Sequence, residues 1–225
     1  FGDADAVEAA LEKENDVAAL ILEPIQSIAG VREAPAEYFQ QLRRLCDEHG
    51  VVLCFDEVQT GVGRTGTFSI SEQLGMCPDL ISLAKSLGSG VPVSAVLSTG
   101  EIAETVEYGD QGSTFGGGML AMAAVEATLE TIEAERLMDR AVAIYERICA
   151  ELGPRVQEVR GRGCLIGIEL DRAAKPVIAA LREEEGILVG GASPSNVIRA
   201  MPPLVASEED VTEFLDGFVR AAELD

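Results

Sequence analysis

The amino-acid sequence predicts an α/β fold with a mostly parallel sheet and crossover helices. Three observations carry that expectation: apolar runs of strand length, a helical repeat between the first two of them, and a pair of acids at the carboxyl end of the second. VAALILEP (Val17 to Pro24) is a continuous apolar run closed by a charge and a proline. Residues 36–49 carry Tyr38, Phe39, Leu42, Leu45 and Cys46 at helical spacing and stop at Gly50. VVLCF (51–55) reads as a second buried strand and delivers Asp56 and Glu57 at its end. Strand, helix and strand in this order make a parallel pair with a crossover. DLISLA (79–84) and PVSAVLS (92–98) add two more short apolar runs.

From Met119 to about Leu152 the pattern is helical, with a break near residues 133–135. VQEVRG and CLIGIEL then read as a hairpin around Gly161–Gly163. A helix follows at about 174–185, with short strands near Ile187–Val189 and Val197–Ala200. The last segment opens on a capping-box pattern, Ser207 to Asp210. Val211, Phe214, Leu215, Phe218, Val219 and Ala222 then form one apolar stripe suited to core packing. The change of texture near residue 135 divides the chain into 1–135 and a smaller α/β part, 136–225. No linker, repeat or low-complexity tract is visible.

The 225 residues are 47% hydrophobic and 25% charged, which supports a sizeable core and excludes a largely disordered chain. No stretch reaches the roughly 20 apolar residues of a membrane span. The acidic start, FGDADAVEAALEKEND, is neither a secretory signal nor an Arg-rich transit peptide. With 17 basic and 39 acidic side chains, the formal charge of −22 argues against nucleic acid and against an anionic membrane surface as partners. Only Lys13, Lys85 and Lys175 are lysines. An acidic excess with arginine favoured over lysine suits a salt-adapted, halophilic surface; an acidic mesophilic enzyme is the plainer alternative. Cys46, Cys54, Cys77, Cys149 and Cys164 are odd in number and form no C-x-x-C, so they read as buried thiols of a cytoplasmic protein. The single histidine, His49, excludes a multi-histidine metal site and reads as a cation at a helix end before Gly50.

Three segments imitate known sites. GVGRTG (Gly61 to Gly66) matches G-x-G-x-x-G, but it follows DEVQT instead of a strand and runs into TFSIS instead of a helix. VVLCFDE resembles the strand that holds magnesium in ATPases, yet no G-x-x-x-x-G-K-[ST] loop accompanies it, because Ala84 precedes Lys85-Ser86. The GGG at 116–118 marks a turn or a close backbone approach.

Lys85 is the unusual residue, flanked by apolar stretches on both sides. Desolvation lowers a lysine's pKa, and a neutral amine is what carbonyl chemistry needs. A lysine snorkelling from a strand end explains the same pattern. Asp56 stands where open α/β sheets bind ligands, at the carboxyl end of a buried strand. Its partner is a protonated ring nitrogen or, more plainly, a neighbouring arginine.

LEPIQSIAGV, FDEVQTGVGRTG, PDLISLAKSLGSGVPVSAV, GSTFGGG, VRGRGCLIGIEL and VIRAMPPLV occur in this order. Together they resemble the class III pyridoxal-phosphate-dependent aminotransferases, which include ornithine, acetylornithine, 4-aminobutyrate and alanine–glyoxylate enzymes. The resemblance covers essentially the whole chain and implies part of a fold-type-I large domain followed by the small C-terminal domain. It implies a homodimer that transfers an amino group from an amino acid or ω-amine to a 2-oxo acid. It also implies roles for individual residues. Lys85 forms the aldimine with pyridoxal 5'-phosphate and then shuttles the proton; Asp56 holds the ring nitrogen protonated. Val58 packs on the ring face and Gln59 hydrogen-bonds near the ring's 3-oxygen. Thr114 binds the phosphate across the dimer interface, Ser113 lies beside the substrate, and Arg199 grips a substrate carboxylate with its planar fork. For Arg199 a surface salt bridge is the plainer alternative.

The sequence departs from the family at three places. A Ser-Gly-Thr-Glu-Ala-like phosphate loop and the aromatic residue that stacks on the ring have no counterpart in it, so the chain is expected to be a fragment with exposed strand edges. Ile28 stands where family enzymes acting on terminal amines often have an acid, which leaves Arg199 available for a carboxylate. Gly118 stands where asparagine is usual, which loosens the turn beside Thr114. An aminomutase of the same family and a non-catalytic remnant or subunit are the competing expectations.

Overall fold

The computed structural model describes residues 1–14 and 16–224. In chain order it runs α1 (Ala4–Lys13), β1 (Ala19–Leu22), β2 (Ile25–Gln26), β3 (Arg32–Glu33), α2 (Ala36–His49), β4 (Val52–Asp56), α3 (Ser71–Leu74), β5 (Leu80–Leu83) and β6 (Ala95–Ser98). It continues with α4 (Gly100–Ala103), α5 (Met119–Ala134), α6 (Leu137–Leu152), β7 (Glu158–Arg162), β8 (Leu165–Glu169), α7 (Ala174–Glu183), β9 (Gly190–Gly191), β10 (Val197–Ala200) and α8 (Glu208–Ala221). Two compact units result. The first comprises Phe1–Pro24, Ala34–Val62 and Ser69–Ala134; the second comprises Ile25–Glu33, Gly63–Phe68 and the chain from Glu135 on. A single cut near residue 135 therefore leaves out two short excursions of the chain into the second unit. No helix among the described residues is long and apolar enough to cross a membrane.

The first unit is built on a sheet of order β1-β4-β5-β6. β1 pairs parallel with β4 and β4 with β5, whereas β6 closes the edge antiparallel to β5. β4 alternates, with Leu53 and Phe55 fully buried and Val52, Cys54 and Asp56 only partly so. Its inward face meets α2, where the Phe39 and Phe55 rings lie 5.8 Å apart edge to face. α2 stops at Gly50, which adopts a left-handed φ of 66° and returns its amide to the Cys46 carbonyl. His49 occupies the last turn of that helix and is exposed. Asp79 ties the lower ends of these elements together: its Oδ2 accepts from Arg43 Nη1 at 2.8 Å and from the Leu53 amide at 2.7 Å. α5 packs against the 3₁₀ turn at Lys85–Gly88.

The second unit carries an antiparallel sheet of order β7-β8-β10-β9. Its core includes Ile148, Leu152, Leu165, Ile168, Ile198 and Phe218. Ser207 and Asp210 form the expected capping box at the start of α8, and Val211, Leu215 and Phe218 are the buried side of its stripe. The break between the two long helices falls at residues 135–136, where Arg136 has a φ of 51°. Two expectations need correction. The strand expected at Ile187–Val189 forms instead at Gly190–Gly191, because only there does the backbone come opposite Ile198 and Arg199. Cys77, expected to be buried, is exposed in the loop before β5.

The hairpin β7–β8 depends on a glycine. Gly161 has a φ of 113°, and a Cβ there would lie 2.1 Å from the Leu165 carbonyl oxygen. Both the conformation and the space demand the absence of a side chain. Gly161→Ala should therefore destabilise the protein by about 2–4 kcal/mol, lowering the midpoint of a thermal melt by roughly 5–10 °C. An unchanged melt would show that the hairpin relaxes around the methyl group.

Candidate active site

In the first unit, the chemistry-bearing residues collect where the parallel strands end. Asp56 is the last residue of β4 and pairs with Ser82 of β5. Its Oδ1 accepts from the Ser82 hydroxyl at 3.2 Å and from the Val58 amide at 3.1 Å. These donors are neutral, and among the described residues no cation pairs with Asp56. Its Oδ2 is left as an acceptor for a further donor. The alternative of a structural arginine partner is thus not what the structure contains.

Lys85 follows β5 by two residues, on the strand adjacent to Asp56. Leu83 and Leu87 on either side of it are buried, but Lys85 itself is exposed. The desolvated setting expected from its apolar flanks is therefore absent in this chain. The reason is local: β5 alternates inward at Ile81 and Leu83, and the chain then leaves the strand through Ala84 into a 3₁₀ turn. Lys85 takes a φ of 51°, uncommon for a residue with a side chain. Strained backbone of this kind concentrates at working sites.

Val58 and Gln59 sit half-buried in the turns after β4. The neighbouring Glu57 is buried, 1% exposed, and was not singled out from the sequence. Its carboxylate accepts from the Ile70 amide at 2.9 Å, from the Thr60 hydroxyl at 3.1 Å and from the Ser69 hydroxyl. Burial is the larger influence and raises its pKa, with the donors of Ser69, Ile70, Thr60 and Ser71 opposing it. A DE pair at a strand end was legible; which acid faces solvent and which is buried depends on strand register.

Ser113 and Thr114 lie in an exposed turn ahead of α5. The Ser113 hydroxyl accepts from the Gly116 amide at 2.9 Å, and the Gly118 amide donates to the Phe115 carbonyl at 3.1 Å. The turn is therefore closed even with glycine at 118. Phe115 and Met119, which flank it, are 87% and 91% exposed.

Arg199 belongs to the second unit, on β10. Its Nε donates to the Gly191 carbonyl at 2.7 Å and its Nη1 to the Ser27 hydroxyl at 2.9 Å. No carboxylate pairs with it among the described residues, so the plainer reading as a surface salt bridge does not apply. Ile28 is 51% exposed. Ser27 was not identified from the sequence, and nothing in PIQSI distinguishes it from an ordinary turn serine.

A pyridoxal-type cofactor fits the first unit's residues. It needs an anionic acceptor for a ring N–H and an amine for an aldehyde, and Asp56 and Lys85 supply these from adjacent strand ends. The decoy GVGRTG segment consists of turns, with Val62, Gly63 and Gly66 at positive φ, and opens no helix.

Comparison with known proteins identifies the family. Residues 3–222 match the model of the family "Aminotransferase class-III". An acetylornithine aminotransferase of Methanopyrus kandleri is 46% identical over 218 residues, which are 96% of this chain and 56% of that protein. A solved acetylornithine aminotransferase of Elizabethkingia anophelis superposes with a TM-score of 0.89 at 34% identity, covering 98% of this chain and 58% of the other. An ornithine aminotransferase of Toxoplasma gondii, described with partial occupancy of pyridoxal phosphate at its active site, superposes at 0.87 with 36% identity, covering 99% and 55%. The chain thus spans little more than half the length of the relatives it matches. Over that span, the family-model match, the sequence identity and the α/β architecture place the chain in the class III aminotransferase family.

Proposed function

We propose that the protein of which this chain forms part is a pyridoxal-phosphate-dependent transaminase, moving an amino group from an amino acid or ω-amine to a 2-oxo acid. The observation that supports this reading is Asp56, held by neutral donors at the end of β4, with Lys85 two residues beyond the end of the adjacent β5. The cofactor, when bound, supplies an aldehyde and a protonated ring that accepts the electron pair released at the substrate carbon.

Asp56 would accept the ring N–H of the cofactor and hold its positive charge in place, its carboxylate oriented by Ser82 and Val58. The Lys85 amine would condense with the cofactor's aldehyde and, when free, would act as the base that takes a proton from the substrate carbon and returns it one position away. Val58 and Gln59, in the turns after Asp56, serve the ring face and the 3-oxygen. Thr114 binds the phosphate and Ser113 adjoins the substrate. The exposed Phe115 and Met119 beside them favour a homodimer whose interface covers this turn. Arg199 receives a substrate carboxylate. Residues 1–135, apart from Ile25–Glu33 and Gly63–Phe68, then belong to the cofactor-binding large domain, and those two segments with 136–225 to the small domain. All five cysteines are free, which favours a reducing cytoplasm.

The test is chemical. Incubation with pyridoxal phosphate, borohydride reduction and peptide mass spectrometry should place the reduced adduct on Lys85 alone. Equal labelling of Lys13 and Lys175, or no labelling, would favour a non-catalytic remnant.

A further inference from the structure

Arg199 lies in an unusual setting for an arginine in a sheet. Its cross-strand partners are both glycines: Gly167 on β8 and Gly190 on β9. A Cβ at Gly190 would stand 3.3 Å from the arginine's Nη2, so a side chain there would press on the guanidinium. The plane is also held at two points, by the Gly191 carbonyl on Nε and by the Ser27 hydroxyl on Nη1.

Ser27 is itself immobilised. It is fully buried, and its carbonyl accepts from the amides of Gly30 and Val31 at 3.2 and 3.0 Å, closing a tight turn. Arg160 Nε donates to the Gly30 carbonyl at 2.8 Å and pins the same turn to β7. Val31 fills the space above Gly167, where a Cβ would meet its own Cβ at 2.9 Å. All of these residues belong to the second unit.

We propose that Ser27 and Gly190 are positioning residues for Arg199, holding its fork through a neutral hydroxyl so that its full charge stays available to a ligand carboxylate. The inference rests on the reading of Arg199 given above and adds the means by which that reading is achieved. A carboxylate in place of the Ser27 hydroxyl would satisfy the guanidinium internally and compete with any anion. A hydroxyl orients the fork without neutralising it. Because no carboxylate among the described residues pairs with the fork, the substrates it selects carry a carboxylate at this point both as amino donor and as acceptor.

Glutarate, a dicarboxylate with no amine or carbonyl to react, is a suitable probe. Its binding to the full chain is followed by titration calorimetry at low salt, with melts to confirm that each variant is folded. Arg199→Ala should abolish binding. Ser27→Asp should weaken it by about 30-fold or more, and Ser27→Ala by about 3- to 10-fold, in line with the loss of one charge-assisted hydrogen bond. Gly190→Ala approaches the guanidinium from the other side and should weaken binding by about 3-fold or more while leaving Ser27 in place. Added chloride should weaken wild-type binding and have little effect on what remains in Ser27→Asp.

Loss of binding in Arg199→Ala with unchanged affinity in folded Ser27→Asp and Gly190→Ala would overturn the positioning role and leave Arg199's own role standing. No binding by the wild type, or full binding by Arg199→Ala, would overturn the carboxylate reading itself.

Discussion

Replacing Lys85 with alanine is expected to abolish amino-group transfer and leave the fold intact. The two halves of that expectation have separate grounds. Removing the positioned base of a proton transfer costs about 10²–10⁴-fold in rate. On the proposed reading the same substitution also removes the amine that condenses with the aldehyde, so the loss should sit at or beyond the upper end. On the folding side, Lys85 is exposed and, among the described residues, makes no ion pair. Its truncation should shift stability by no more than about 0.5 kcal/mol. Lys85→Arg, which keeps the charge and cannot act as a neutral amine, should be as inactive as the alanine variant. The measurement is a single-turnover absorbance assay of the cofactor beside a thermal melt, on the protein in which activity is first established. Residual turnover within 10-fold of wild type in Lys85→Ala would remove the lysine from the chemistry. An equally inactive Asp56→Asn variant, folded and still labelled at Lys85, would separate the role of the ring partner from that of the base.

The contrast between Lys85 and Glu57 shows what the sequence could disclose. Apolar flanks marked Lys85 as a special position, but the burial inferred from those flanks is not what the structure has. Flanking hydrophobicity reports on the strand and the turn, while a side chain's exposure depends on the register at which the strand ends. The parallel order of β1, β4 and β5 was legible because a crossover helix lies between two apolar runs. The antiparallel pairing of β6 was not, since a short apolar run carries no direction. β2 and β3, two residues each, are too short to show a period. β9 is a pair of glycines, defined by what it lies against and not by its own side chains. Asp56 and Arg199 could be named from motifs; their neutral partners Ser82 and Ser27 could not, because each is distant in sequence from the group it orients.

Glu57 leads to the second large effect. Its carboxylate gathers donors from Ser69, Thr60 and the Ile70 amide, joining the turn after β4 to the start of α3 within the first unit. Gly61, inside that turn, has no room for a side chain: a Cβ would lie 2.6 Å from Leu83 and 2.9 Å from the Glu57 carbonyl oxygen. Glu57→Leu leaves several buried donors unpaired at about 1–3 kcal/mol each, so a loss of roughly 3–5 kcal/mol is expected, enough to unfold a marginal domain. Glu57→Gln keeps the size and one acceptor and should cost less than half of that. The gentler variant also reports on protonation. Burial holds the Glu57 carboxyl above its ordinary value of 4.5. Between that value and its raised folded-state pKa, the folded chain binds more protons than the unfolded one. Its contribution is full below 4.5 and is lost as pH rises through the folded value. Denaturant melts of the wild type across this window should show stability declining with pH by more than those of Glu57→Gln, in which the component is absent. Parallel profiles for the two proteins would mean that the surrounding donors hold Glu57 ionised in the folded state. In that case Glu57→Gln should be the more damaging change at neutral pH, because each of those donors then serves a charge.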